Sequence, residues 1–154
     1  MNADTYVRDI SALRLADAEE AGGKGANMGE LVAANLPVPP GFVLLRACYQ
    51  DSMRAGGVDA EISALHREAL NRVADTSRVA ELCDRLHALV HKAGVTDALR
   101  EQVLAAYRRL GSDAVVAVRS SATGEDGSDA SFAGMNATIT NLIGEDALMG
   151  RRDG

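Results

Sequence analysis

The sequence predicts an α/β (α+β) protein, rich in helix and carrying a small mixed sheet. Three observations lead there. From Asp59 to Leu110 apolar residues recur at helical spacing. Val115-Val116-Ala117-Val118 is a short β-branched run, and Ala137 to Leu142 alternates in the manner of a strand that pairs with it. Glycine and proline clusters at Gly22–Gly25, Leu36–Gly41 and Gly56–Gly57 divide what comes before.

The elements follow in order. Tyr6 to Leu15 holds a short strand or extended lead-in, and Asp17-Ala18-Glu19-Glu20 is helix-prone. Beyond Lys24, Met28, Leu31 and Val32 recur at i, i+3 and i+4, which predicts an apolar helix face. Leu36-Pro37-Val38-Pro39-Pro40-Gly41 must end that helix, because each proline removes a donor and restricts its predecessor. Phe42 to Leu45 reads as a short buried strand, and Arg46 to Ala55 as a helix closed by Gly56-Gly57. Val79, Leu82, Leu86, Leu89 and Val90 mark an amphipathic helix ending near Gly94. Leu99, Val103, Tyr107 and Leu110 mark the next, ending near Gly111. Residues 144–154 read as a truncated helix start or a frayed tail, with Glu145 and Asp146 placed to favour a first turn.

At 154 residues the chain reads as one partial domain, long enough to bury a core without metal or disulfide help. Two phenylalanines, three tyrosines and no tryptophan make that core aliphatic. A formal charge of -6 argues against a nucleic-acid surface, which needs clustered cations, but leaves room for a nucleotide held by two or three of them. Cys48 and Cys83, without Cys-x-x-Cys spacing, read as two buried thiols in a reducing compartment. With no leader-like N-terminus and no run approaching the roughly 20 residues of a membrane helix, the expected location is the cytoplasm, away from membranes.

Two clusters carry chemistry. Gly22-Gly23-Lys24-Gly25 offers backbone amides, a following helix N-terminus and an ammonium, all suited to a phosphate. It is not a Walker loop: position 18 is alanine, and Gly25 rather than Ser or Thr follows the lysine. The dinucleotide pattern also fails, since the third glycine comes one residue late, at Gly29. A tight turn with a solvated lysine remains the alternative. In the second cluster the strand Val115–Val118 delivers Arg119 to its end, followed by Ser120, Ser121, Thr123 and spaced glycines. Arg119 offers a fixed fork of donors to an anion, or pairs with Glu125 or Asp126. Glu125 to Asp129 lacks the EF-hand order and reads as a solvated loop. His66, His87 and His91 read as helix-surface histidines; His87 and His91 share a face, but no third metal ligand accompanies them. The serines after Arg119 have no evident base.

Three blocks together resemble the N-terminal nucleotide-binding region of the phosphoenolpyruvate synthase and pyruvate phosphate dikinase family, with a flavour of its rifampin phosphotransferase relatives. They are Gly22-Gly23-Lys24-Gly25-Ala26-Asn27-Met28-Gly29-Glu30-Leu31, Leu36-Pro37-Val38-Pro39-Pro40-Gly41-Phe42, and Val118-Arg119-Ser120-Ser121-Ala122-Thr123 with Asp129-Ala130-Ser131-Phe132-Ala133-Gly134. Order and spacing agree from about Val7 to Met149. The synthases usually carry glutamines after the last glycine, where this chain has Met135-Asn136-Ala137-Thr138.

The resemblance implies the first lobe of an ATP-grasp fold. By that similarity Lys24 and Arg119 contact ATP phosphates, Ser120, Thr123 and Gly134 complete the nucleotide-binding set, and Thr123 to Gly134 forms a lid. It implies ATP and Mg2+, the magnesium ligands standing in a second lobe outside this sequence. It also implies transfer of the ATP β-phosphoryl group through a phosphohistidine to pyruvate or an antibiotic, with AMP and inorganic phosphate, or pyrophosphate in the dikinase, as the other products. The segment bearing that histidine is not in this sequence, so a second polypeptide is the expected partner and no complete catalytic set stands on this chain. The alternative is a stand-alone nucleotide-binding or regulatory module, or an inactive remnant.

Overall fold

Residues 6–121 and 137–150 are described by the computed structural model. Their helices are α1 (Ala18–Ala33), α2 (Arg46–Ala55), α3 (Asp59–Asn71), α4 (Thr76–Ala93), α5 (Asp97–Leu110) and the single turn α6 (Glu145–Leu148). The strands are β1 (Val7–Asp9), β2 (Phe42–Leu44), β3 (Val116–Arg119) and β4 (Thr138–Leu142). They form two separate antiparallel pairs, β1 with β2 and β3 with β4. The chain is an α/β protein dominated by helix, divided into two compact units.

The first unit comprises residues 1–47 and 98–154. Leu13, Ala21 and Leu45 form a buried cluster with Val43 against it, and Leu99, Val103, Ala106 and Tyr107 are buried along α5. The register of the first strand pair runs from Val7 opposite Leu44 to Asp9 opposite Phe42. After β1 the chain turns through two short 3₁₀ segments that pack on α1, and Arg8 reaches Asp17 at 2.9 Å and Glu20 at 3.2 Å. β2 is less buried than its composition suggests: Leu44 is 45% exposed, and it is the next residue, Leu45, that enters the core.

Helix α1 corrects the expected apolar face. Its buried residues are Ala21, Gly22, Gly23, Gly25, Ala26 and Gly29, whereas Leu31 is 43% exposed and Met28 and Val32 are only half-buried. The reason is steric. A Cβ on Gly29 would overlap the backbone carbonyl of Leu13, and one on Gly25 would lie 3.0 Å from Val43 Cγ2. The helix approaches its neighbours too closely for larger side chains, so the inward face is the small one.

The second unit, residues 48–97, contains most of α2 with α3 and α4. α3 and α4 pack together, and Leu65 and Leu82 are their buried residues. Arg78 joins the two helices, donating from Nε and Nη2 to Glu68 Oε1 at 3.0 and 2.6 Å, and from Nη1 to Glu81 at 2.7 Å. Cys48 is buried and Cys83 exposed, neither joined in a disulfide; the expectation of two buried thiols fails at Cys83, which stands beside Leu82 on the outward side of α4. Burial pushes the Cys48 thiol above its ordinary value. His66, His87 and His91 are exposed. Among the described residues no group of three or more His, Cys, Asp or Glu side chains could hold a metal ion, and no helix is long and apolar enough to cross a membrane.

Candidate functional site

The two chemistry-bearing clusters, almost a hundred residues apart in sequence, meet in the first unit. Gly22 adopts φ 75° and ψ 158°, a left-handed, extended conformation inside an otherwise helical run. It separates the opening turn of α1 from the helix that resumes at Gly23, so Lys24 lies in the first turn after a kink. Gly22 is needed there twice over: an L side chain resists that φ, and a Cβ would overlap Ser121 Oγ. The glycine cluster is therefore a contact surface for the segment following β3. Its glycines are buried rather than open to solvent.

Lys24 extends from the same turn. Its Nζ donates to the carbonyl oxygen of Ser120 at 3.2 Å. Ser120 is the residue after Arg119, so the ammonium stands beside the strand end that carries the guanidinium. Arg119, Ser120 and Ser121 are exposed and Lys24 is half-buried, which leaves the assembly open to a ligand from solvent. Asn27, one turn beyond the kink, donates its amide to Gly23 O at 3.0 Å, holding the first turn of the resumed helix.

The strand pair that delivers Arg119 is short and irregular. Val116 lies opposite Leu142, Val118 opposite Ile139 and Arg119 opposite Thr138, so β4 carries one extra residue between the first two pairs. Asn141, with φ 59°, sits in that bulge, where asparagine tolerates the left-handed region. At the site end Ser120 N donates to Ala137 O at 3.0 Å, and the Ser120 hydroxyl approaches the same oxygen at 3.3 Å. At the opposite end Tyr107 of α5 is fully buried. Its hydroxyl donates to Ala114 O and accepts from Gly144 N, each at 2.8 Å. Arg108 adds a two-pronged pair to Glu145, at 2.6 and 3.0 Å, and the hydrogen bonds to that carboxylate hold its guanidinium above its already high ordinary pKa.

Of the residues singled out from sequence, Lys24 and Ser120 thus meet, and Arg119 is the residue preceding Ser120 on β3. Thr123 and Gly134 lie outside the described residues, as do Glu125 and Asp126, the acids weighed as partners of Arg119. Gly22 and Ser121 are contacts that sequence reasoning did not single out individually, although both belong to the blocks that carried the resemblance. Tyr107 was legible only as a member of an apolar stripe.

A profile of the family described as pyruvate phosphate dikinase, AMP/ATP-binding domain matches residues 18–151, a span that contains both clusters. The chain belongs to this family. It is 38% identical over 149 residues to a probable phosphoenolpyruvate synthase of Archaeoglobus fulgidus, covering 91% of this chain and 20% of that protein. A probable phosphoenolpyruvate synthase of Methanothermobacter thermautotrophicus is also 38% identical over 149 residues, covering 93% of this chain and 22% of its own length. The phosphoenolpyruvate synthase of Deinococcus radiodurans is 33% identical over 147 residues, with 93% of this chain and 19% of the relative aligned. The chain thus spans about a fifth of the length of these curated relatives.

Proposed function

We propose that this chain is the first, phosphate-holding lobe of an ATP-grasp-type nucleotide site. One observation carries the reading: Lys24 Nζ lies 3.2 Å from the carbonyl of Ser120, so two cations distant in sequence share one strand end inside the span matched by the AMP/ATP-binding family. Paired cations that meet a phosphate chain neutralise its charge and fix its position, which is most of what phosphoryl transfer asks of a protein. Arg119 supplies a forked donor and Lys24 a compact charge. Ser120 adds a hydroxyl, and by the family resemblance Thr123 and Gly134 belong to the same nucleotide-binding set.

The chemistry served is that of the larger family assembly. The β-phosphoryl group of ATP passes through a phosphohistidine to pyruvate or, in a rifampin-type branch, to an antibiotic; the α-phosphate leaves as AMP and the γ-phosphate as inorganic phosphate, or within pyrophosphate in the dikinase. Mg2+ arrives on the ATP phosphates, and its protein ligands stand in the second lobe. That lobe and the phosphohistidine domain are not among these 154 residues, and they stand either on a further polypeptide or elsewhere on a longer chain; the matched relatives are about five times as long. Cys48 and Cys83, neither joined in a disulfide, favour a reducing, cytoplasmic location. Alone, one wall of a cleft cannot exclude water from the phosphates, so the isolated chain does not turn over.

Calorimetry with ATP and Mg2+ tests the binding. Lys24→Ala and Arg119→Ala should each weaken the affinity about tenfold, roughly 1.4 kcal/mol. Equal, flat heats in the parent chain and both variants would overturn the reading in favour of a remnant that binds no nucleotide. Release of AMP from ATP by this chain alone, with pyruvate or rifampin present, would overturn the claim that it needs a partner.

A further inference from the structure

We infer that Tyr107 and Arg108 are positioning residues for the nucleotide-binding strand end, setting where Arg119 sits by gripping the far end of the strand pair that carries it. The inference rests on the nucleotide reading above and assigns α5 a part in it.

Among the described residues the strand pair has little beneath it. Of β3 only Val116 is half-buried, and of β4 only Leu142; Val118 is 41% and Ile139 55% exposed. Two short antiparallel strands with so little burial have marginal stability by themselves. What fixes them is contact at their ends. The Tyr107 hydroxyl bridges Ala114, two residues before β3, and Gly144, two residues after β4. In an antiparallel pair those positions lie at one end, and Arg119 lies at the other. A single buried oxygen therefore clamps the incoming and outgoing chains together. Arg108, the next residue of α5, seizes Glu145 with two parallel hydrogen bonds, so the same clamp is fastened from the exposed side.

At the Arg119 end the restraint comes from α1, through Lys24 on Ser120 O and the close approach of Gly22 to Ser121. Once a phosphate recruits the Lys24 ammonium, that hydrogen bond competes with the ligand, and the α5 clamp then carries more of the restraint. Without it, Arg119 would have to be ordered at the moment of binding, and the ordering would be drawn from the affinity.

The test compares the parent chain, Tyr107→Phe, Arg108→Gln, Arg108→Lys and Leu82→Val. Each is titrated with ATP and Mg2+ well below its melting temperature, and each is followed by amide hydrogen exchange. Tyr107→Phe keeps the buried ring and removes only the bridging oxygen. It should weaken ATP binding about tenfold and speed exchange in β3 and β4 while leaving α3 and α4 unchanged. Arg108→Gln should do the same to a smaller extent, and Arg108→Lys, which keeps the charge, should recover part of the loss. Leu82→Val, in the other unit, lowers the melting temperature without moving the affinity; a purely structural role for Tyr107 predicts no difference between the two variants at matched stability. Unchanged exchange of β3 and β4 in Tyr107→Phe would overturn the clamp, whether or not ATP binds. Loosened strands with unchanged ATP affinity would overturn the positioning role. A parent chain that binds no ATP would remove the nucleotide reading and with it the positioning role, leaving the exchange result to judge the clamp by itself.

Discussion

The two sides of the candidate site are built in opposite ways. On one side the run from Gly22 to Gly29 is buried through its glycines, and its contacts are defined by the absence of side chains. On the other, β3 and β4 expose valine and isoleucine, and their position is set by hydrogen bonds at the two ends. The difference teaches where each side is vulnerable. The glycine side fails when something is added, because backbone stands where a Cβ would go. The strand side tolerates changes along its length and fails when an end is released.

The largest expected effect comes from breaking the glycine side. Gly29→Ala places a Cβ against the Leu13 carbonyl and should cost about 3 kcal/mol, read as a lowered urea midpoint. A value near zero would mean that α1 can shift away from Leu13 at little cost, and the contrast would dissolve. Gly22→Ala is milder in stability, about 1–2 kcal/mol for the left-handed φ, because part of the overlap is with the movable Ser121 hydroxyl. Its sharper effect should be on ATP affinity, measured by calorimetry, since the displaced segment is the one carrying Ser120 and Ser121. On the strand side Ile139→Thr should stay within about 0.5 kcal/mol of the parent chain in urea unfolding, because the residue is 55% exposed.

The smallest effect is a pH dependence within the second unit. The hydrogen bond from Arg78 holds the Glu68 carboxyl below the usual carboxylate range. A depressed acid contributes stability that is complete above its unfolded pKa and is lost as pH falls through its folded one. The gap in urea midpoint between the parent chain and Glu68→Gln should therefore be present at about pH 6 and shrink as pH falls below the ordinary carboxylate value of about 4. A gap that widens on acidification would contradict the assigned sign. Since the pair is solvent-accessible, the effect should also shrink in high salt.

Much of the helical framework was legible in the sequence. Helix α2 occupies Arg46–Ala55 and stops before Gly56-Gly57, while α4 and α5 stop at Gly94 and Gly111, because glycine after an amphipathic run is a local signal. The pairing of the run at Val116 with Thr138–Leu142 was also legible, from composition and proximity in the chain. The inward face of α1 was not. Hydropathy ranks Met28, Leu31 and Val32 above glycine, and only the approach of Leu13 and Val43 reveals that small size was the requirement. The site was legible in kind, through residue types and resemblance, but not in its contacts. Lys24 and Ser120 stand 96 residues apart, and no periodicity reports a bond across that span. Tyr107 illustrates the same limit: its ring obeys the apolar stripe of α5, while its hydroxyl serves two backbone groups that the stripe does not foretell.

The exposed strand pair has a consequence for handling the protein. Each of its two strands pairs with only the other among the described residues, so both outer edges present backbone donors and acceptors beside exposed Val118 and Ile139. Such edges are templates for strand addition between copies. Self-association at high concentration is then expected to run through the element that carries Arg119, and an anion bound there should oppose it. Phosphate or ATP in the storage buffer should then lower the light scattering of concentrated samples.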